Sequence, residues 1–179
     1  MYRTFESSVM HLSLIAARSA NNVIGRGPII PWAARGEQLL FKALTFNQWV
    51  LTGRKTYETI EHLVNRRFVV LSGSPQKAPL RDNAVFFSSY EDAFSYLSGV
   101  TRHVMVAGGG GVFADLIGSA DSIHLSTLEL DIQGDVYFPD IPPHFREVYS
   151  QEFESNINWR YALFVADNGV GTSEVSIPL

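Results

Sequence analysis

"HVMVAGGGGVFADLIG", residues 103–118, is the stretch on which the fold turns. Val104 and Val106 are β-branched and apolar, so 103–107 reads as a buried strand. Four glycines, Gly108 to Gly111, lead into a helix over 112–118. A strand that passes through a glycine turn into a helix is the joint of a βα unit, in which helices cover a parallel sheet. Backbone N–H groups at such a turn can approach a phosphate because no Cβ intervenes. Gly109, Gly111 and Ala114 match G-x-G-x-x-A, but the motif comes late and lacks the leading βα unit of an ordinary dinucleotide fold. A tight turn that needs small residues accounts for the glycines equally well.

The same alternation extends outward in both directions. Upstream, "HLSLIAA" (11–17), "WVLT" (49–52), "RFVVLS" (67–72) and "AVFF" (84–87) read as strands. "GRKTYETI" (53–60) reads as a turn into a short helix, and Ser89 with Asp92 as a capping box that opens a helix through Leu97. Downstream, "SIHLSTLEL" (122–130) is a strand, and "FREVYSQEF" (145–153) with "WRYALFVA" (159–166) forms an antiparallel closing pair. The expected class is therefore α/β, with a mixed sheet that is mainly parallel and has an antiparallel C-terminal edge. Residues 18–35, rich in glycine and proline, read as one long functional loop, and 73–83 has loop composition.

Composition narrows the function. The chain has 179 residues, enough for one domain with a substantial core. Hydrophobic residues make up 46% and charged residues 18%, which excludes a disordered chain. A net charge of −4 gives no overall pull toward nucleic acid or anionic membrane, so neither is an expected partner. No apolar run reaches the length of a membrane span. Cysteine is absent, which excludes disulfides and thiolate metal sites. "MYRTFESSVM" (1–10) lacks the apolar core of a signal segment. The expected layout is an N-terminal tail over 1–10 and a single domain over 11–179, in the cytoplasm.

"GEQLLFKALT" (36–45) poses the chemical question. As a helix it puts Leu40, Phe41 and Leu44 on one face, and Glu37 lies three, four and seven residues before them. One reading is a first-turn glutamate favoured by the helix dipole and turned to solvent. The other is a carboxylate at the edge of an apolar cleft. Burying it unpaired is costly, so that reading calls for a ligand with two adjacent N–H donors. In "GRKT" (53–56), Arg54 and Lys55 are either a solvated surface pair or a phosphate site. Together with the glycine turn they suit a ligand with two separate phosphate groups, such as NADPH. His11, His62, His103, His124 and His144 show no metal-ligand spacing, so no metal is expected, and His124 reads as a hydrogen-bonded core residue. No serine sits in G-x-S-x-G, so a hydrolase is not supported.

"SLIAA", "NNVIGRGPIIPW", "EQLLFKALT", "LTGRKTYETI", "NRRFVVLS", "VMVAGGGGVF" and "GDVYFPDI" follow one another in an order and spacing that resembles dihydrofolate reductase, over roughly 11–166. "GPIIPW", "GEQLLFKA", "NQW" and "SNIN" look most like the plasmid-borne, trimethoprim-resistant bacterial branch. The resemblance implies an eight-stranded mixed sheet and NADPH-dependent reduction of 7,8-dihydrofolate by a monomer that also binds antifolate inhibitors. It implies that Glu37 holds the ring N3 and 2-amino group of the pterin. It places Ile15, Ala16, Phe41 and Ala107 against the pterin, Ser126 on a water linked to the acidic site, and Arg66 on the glutamate-tail carboxylate. It gives Ala17, Ile24, Gly25, Trp32 and the 18–35 loop to the nicotinamide, with Trp32 and Glu37 as the catalytic pair. Gly108, Gly109, Gly110, Gly111, Val112 and Phe113 would cradle the diphosphate, with a cis peptide between Gly108 and Gly109. Arg54, Lys55, Thr56 and Ser72 would hold the adenosine side and its 2′-phosphate.

Two positions depart from the pattern. The family often has tyrosine where this chain has Phe113, and a larger aliphatic residue where it has Ala107. With Glu37 as the one acid foreseen in the cleft, the resemblance has N5 of the pterin protonated from solvent. Two other readings compete: a reductase of the same fold that acts on a riboflavin-pathway pyrimidine, and a non-catalytic NADPH-binding or regulatory protein.

Overall fold

The computed structural model describes residues 10–60, 62–74 and 82–167. Residues 1–9 of the expected tail, 75–81 of the expected loop and 168–179 lie outside the described residues. In chain order the elements are β1 (His11–Ser19), β2 (Val23–Gly25), α1 (Glu37–Leu44), β3 (Trp49–Gly53), α2 (Arg54–Ile60), β4 (Arg67–Leu71) and β5 (Ala84–Phe87). Then come α3 (Tyr90–Val100), β6 (His103–Val106), α4 (Gly110–Leu116), a 3-10 turn (Ile117–Ser119), β7 (Ser122–Leu128), β8 (Val136–Tyr137), β9 (Phe145–Phe153) and β10 (Trp159–Ala166).

Eight strands form one sheet in the order β5-β4-β3-β6-β1-β7-β10-β9. Every pairing from β5 across to β7 is parallel, and β10 is antiparallel to both β7 and β9. The expected mixed sheet with an antiparallel C-terminal edge is the sheet observed. β1 lies between β6 and β7, with Leu14 opposite Val106 on one side and Ile123 on the other.

Successive residues of the central strands face opposite sides, as a strand requires. Leu12, Leu14, Leu51, Val69, Val104 and Val106 pack with Ala93 and Leu97 of α3 and Phe113 and Leu116 of α4. Ile15, Val50, Phe68, Val70 and Met105 pack on the other side with Tyr57 of α2 and Phe41 and Leu44 of α1. Both faces are covered, which is why these strands read as continuous apolar runs. Each fully buried aliphatic side chain contributes roughly 1.5–3 kcal/mol. The Ser89 hydroxyl accepts from Asp92 N at 3.1 Å and so caps α3, which runs past Leu97 to Val100.

Several boundaries differ from the sequence reading, beginning with β1, which runs two residues further, to Ser19. The 18–35 stretch is not all loop: β2 pairs with β8, more than 110 residues on, as a second small sheet. α4 begins at Gly110 within the glycine run and ends at Leu116, followed by the 3-10 turn. β7 stops at Leu128, two residues earlier than expected.

Candidate active site

β1, β6 and β7 run the same way, so their C-terminal ends meet along one edge of the sheet, where open α/β sheets bind ligands. α1 lies across that edge. Ile15 and Ala16 of β1, Glu37, Leu40, Phe41 and Leu44 of α1, His124 and Ser126 of β7 and Tyr161 of β10 line one narrow cleft. Ala107, which follows β6, packs on the cluster that holds Ile15 and Phe41. Ala17, Trp32 and Leu40 pack on an adjoining cluster around Trp159 and Leu128. Ile15, Ala16, Glu37, Phe41 and Ser126 are thus brought together, and Ala107, Ala17 and Trp32 border them.

Glu37 occupies the first position of α1 and faces the apolar wall. It has no ion-pair partner among the described residues, and burial alone lifts its carboxyl from the usual 4.5 to about 7. Trp32 Nε1 is buried and has no hydrogen-bond partner among the described residues. Of the two, Glu37 lines the cleft, and Trp32 packs on the adjoining cluster around Trp159.

His124 and Tyr161 were not foreseen in the cleft. The His124 ring lies 2.7 Å, Nδ1 to oxygen, from the Tyr161 hydroxyl. Burial pushes His124 below its usual value, with a smaller contribution from His103, and burial first of all pushes Tyr161 up. Both are neutral near pH 7. His124 is hydrogen-bonded, as read from sequence, but it faces the ligand cleft; its placement two residues before Ser126 on β7 is the signal that marks it.

Arg66 lies apart, at the far end of α1, and is only 7% exposed. Its guanidinium donates to Val64 O at 2.6 Å, to Lys42 O, and through Nε to Thr45 Oγ1 at 3.3 Å. With three of five N–H groups engaged, the head is held rigid and two donors remain. α1 has eight residues and separates Glu37 from Arg66 by about 12 Å of helix rise. An extended ligand with donors at one end and a carboxylate at the other fits that span.

The glycine turn follows β6. The Gly108–Gly109 peptide is cis, as the resemblance implies, and Gly108 has φ +101. A Cβ on Gly108 would stand 2.8 Å from the Phe113 ring, so only glycine fits there. Gly108 O accepts from Gly53 N at 2.8 Å and Thr52 Oγ1 at 2.9 Å, which ties the starts of α2 and α4 together. A Cβ on Gly109 would lie 3.1 Å from Thr56 Oγ1, and one on Gly110 2.8 Å from Val136 Cγ1 and 3.9 Å from Ile24. Gly109, Gly110, Thr56 and Ile24 are therefore neighbours along one glycine strip that Val136 of β8 covers at Gly110, with Gly25 in β2 beyond Ile24. Gly111 is exposed, with nothing within 4 Å of its Cβ position, and Val112 packs against Gly53. Arg54 pairs loosely with Glu58 at 3.8 Å, Lys55 is exposed, and Ser72 is buried with its hydroxyl accepting from Ser74 N at 3.2 Å.

A sequence profile of the family described as Dihydrofolate reductase matches residues 11–166. The chain belongs to the dihydrofolate reductase family. It is 50% identical to dihydrofolate reductase type 15 of Escherichia coli over 87% of this chain and 98% of that protein. It is 49% identical to type 1 of Escherichia coli over the same shares, and 47% identical to type 6 of Proteus mirabilis over 87% and 98%. The fold matches that of dihydrofolate reductase from Enterococcus faecalis complexed with NADP(H) and RAB-propyl. That match has a TM-score of 0.81 and 22% identity, and covers 90% of this chain and 98% of that one. The numbered types bear out the resemblance to the plasmid-borne branch.

The raised Glu37 value has a thermodynamic consequence. The folded protein holds this proton more tightly than the unfolded chain, so the stabilisation is complete below about 4.5 and is lost as pH rises through about 7. His103 and His124, lowered by burial, act with the opposite sign. A Glu37→Gln variant keeps both histidines, so its melting temperature relative to the parent isolates the carboxyl. That difference, measured without ligand, is expected to grow in favour of the variant from about pH 5 to about pH 8. A difference that stays flat with pH would show a solvated carboxylate.

Proposed function

We propose that this protein reduces 7,8-dihydrofolate to 5,6,7,8-tetrahydrofolate with NADPH. The carrying observation is a carboxylate, Glu37, set without an ion-pair partner among the described residues in a narrow cleft whose walls include Ile15, Ala16, Leu40 and Phe41. The pterin edge offers two adjacent N–H donors. Charge-assisted bonds to them stabilise the ionised carboxylate and favour the pterin form that accepts hydride. Phe41 on one side and Ile15 and Ala16 on the other hold the ring flat, Ser126 supports a water beside the acid, and Arg66 takes the tail carboxylate.

The residues of the glycine strip fit a dinucleotide. Gly108 to Phe113 would receive the diphosphate. Arg54, Lys55, Thr56 and Ser72 would receive the adenosine side, and Ala17, Ile24, Gly25 and Trp32 the nicotinamide. Bound there, NADPH supplies the hydride that reduces C6 of the pterin. The chain's part is to align the two rings and exclude water. Glu37 is engaged at N3, and His124 and Tyr161 are neutral and bonded to each other, so none of them is poised to protonate N5. That proton comes from solvent admitted past the 18–35 loop. The protein acts as a monomer in the cytoplasm; gel filtration tests the first and cell fractionation the second.

Loss of NADPH absorbance should depend on added dihydrofolate, and Glu37→Gln should reduce turnover at neutral pH by a hundredfold or thereabouts. The variant loses two charge-assisted bonds of about 1.5–3 kcal/mol each, only part of which glutamine recovers. NADPH binding without dihydrofolate turnover would favour the regulatory reading, and turnover of a riboflavin-pathway pyrimidine the other one.

Replacing Arg54 and Lys55 together by Ala should weaken NADPH far more than NADH, because only NADPH carries the 2′-phosphate. Equal losses for the two cofactors would place the phosphate elsewhere.

Trimethoprim should inhibit poorly. Its diaminopyrimidine carries an amino group where the pterin carries an oxo group. Phe113 has no hydroxyl to meet that group and is locked edge-on to Phe138, ring centroids 5.2 Å apart. Ala107 offers less apolar contact, and Glu37 reaches one methylene further than aspartate. A neutral hydrogen bond of roughly 0.5–1.5 kcal/mol and a methylene of about 0.8 kcal/mol together amount to about tenfold or somewhat more in affinity. Inhibition constants measured beside a sensitive homologue check this. Phe113→Tyr combined with Glu37→Asp should raise sensitivity.

A further inference from the structure

The "SNIN" turn, residues 155–158, joins β9 to β10 and has no part in the site as so far described. Asn156 nonetheless reaches back to the peptide between Trp32 and Glu37. Its Nδ2 donates to Ala33 O at 2.7 Å, and its Oδ1 accepts from Arg35 N at 2.8 Å. A carbonyl can only accept and a backbone N–H can only donate, so the orientation of the amide is dictated by its partners. One side chain thus pairs with this segment as a neighbouring strand would.

Trp159, the first residue of β10, completes the contact. Its Nε1 donates to Arg35 O at 3.2 Å, and its ring lies 3.5 Å from where a Cβ on Gly36 would stand. Ala34 is buried with Trp159 and Leu128. The turn is itself braced: Ser155 Oγ donates to Ile157 O at 2.7 Å, Ser155 N to Asn158 Oδ1 at 3.1 Å, and Glu129 N to Asn158 O at 2.8 Å. α1, by contrast, starts with little of its own. Gly36 stands at its N-cap with φ +89 and supplies no side-chain hydrogen bond. The start of the helix that carries Glu37 is held from outside.

We infer that Asn156 is a positioning residue that, with Trp159, anchors the segment from Ala33 to Gly36 and so sets where the Glu37 carboxylate stands in the cleft. This rests on the dihydrofolate reading. Paired hydrogen bonds to a rigid heterocycle depend steeply on distance and angle, and small displacements of a positioned group are costly in rate.

The test is Asn156→Ala in the full-length protein, with amide hydrogen exchange as a readout that needs no turnover. Two results are expected. The KM for dihydrofolate rises about tenfold, far more than that for NADPH. Exchange quickens over Arg35 to Leu40 and not in β3 or β4. An unchanged dihydrofolate KM overturns the inference, as does an equal rise in both KM values, which would mean general loosening. Should Asn156→Ala not fold, Trp159→Phe keeps a ring and removes only the Nε1 donor; it must shift the dihydrofolate KM in the same direction for the inference to stand. Absence of dihydrofolate turnover in the parent protein would overturn the functional reading alone. Protection over Arg35 to Leu40 that is unaltered in the variant would overturn the anchor alone.

Discussion

The parallel run β6-β1-β7 is the constraint from which the site follows. Parallel neighbours present all their C-terminal ends at one edge, and their side chains must be covered on both faces. The covered faces are satisfied by Leu14 and Val106 on one side and Ile15 and Met105 on the other. β6 ends opposite Leu14 while β1 and β7 stay paired as far as Ser19 and Leu128, and small residues lie where β6 has ended: Ala16 and Ala17 on β1, Ala107 and Gly108 after β6, Ser126 on β7. The cleft opens where β6 no longer flanks β1, and α1 closes over it with Glu37, the carboxylate that lines it among the described residues.

That carboxylate sits in a matched electrostatic setting. His124 and Tyr161 are the other titratable groups lining the cleft, and burial drives each toward its neutral form. They satisfy each other, so neither neutralises Glu37 nor competes with a ligand for it. A charged histidine at that position would pull the Glu37 value down and leave a preformed ion pair in the cleft. The Glu37 carboxyl, lifted to about 7 by burial, thus has no such partner among the described residues.

What could be read from sequence divides along physical lines. β9 and β10 have the bounds expected, because each is an unbroken run of eight or nine residues, rich in aromatic and β-branched side chains and free of Gly and Pro, which is a local signal. The inward face of Glu37 follows from its spacing to Leu40, Phe41 and Leu44. The short β2 and β8 left no such signal: three residues pair with two across a wide gap in sequence, and only the folded chain brings them together. The role of His124 could be read only once β10 was known to lie beside β7, since its partner is Tyr161. The clamped head of Arg66 was equally hidden, because its acceptors are the carbonyls of Lys42 and Val64 rather than side chains with a pattern.

The antiparallel end of the sheet then has a purpose that the parallel part cannot serve. A hairpin can end in a tight turn and place polar side chains at its tip, whereas a parallel crossover returns through a helix. β10 lies next to β7 and carries Tyr161 into the cleft, and the turn before it carries Asn156 to the peptide that leads into α1. One element therefore supplies both a wall of the site and the anchor of the helix opposite that wall. Gly36 makes the turn this arrangement requires: its left-handed backbone takes the chain from the anchored segment into the helix in a single residue, with Trp159 packed against the turn.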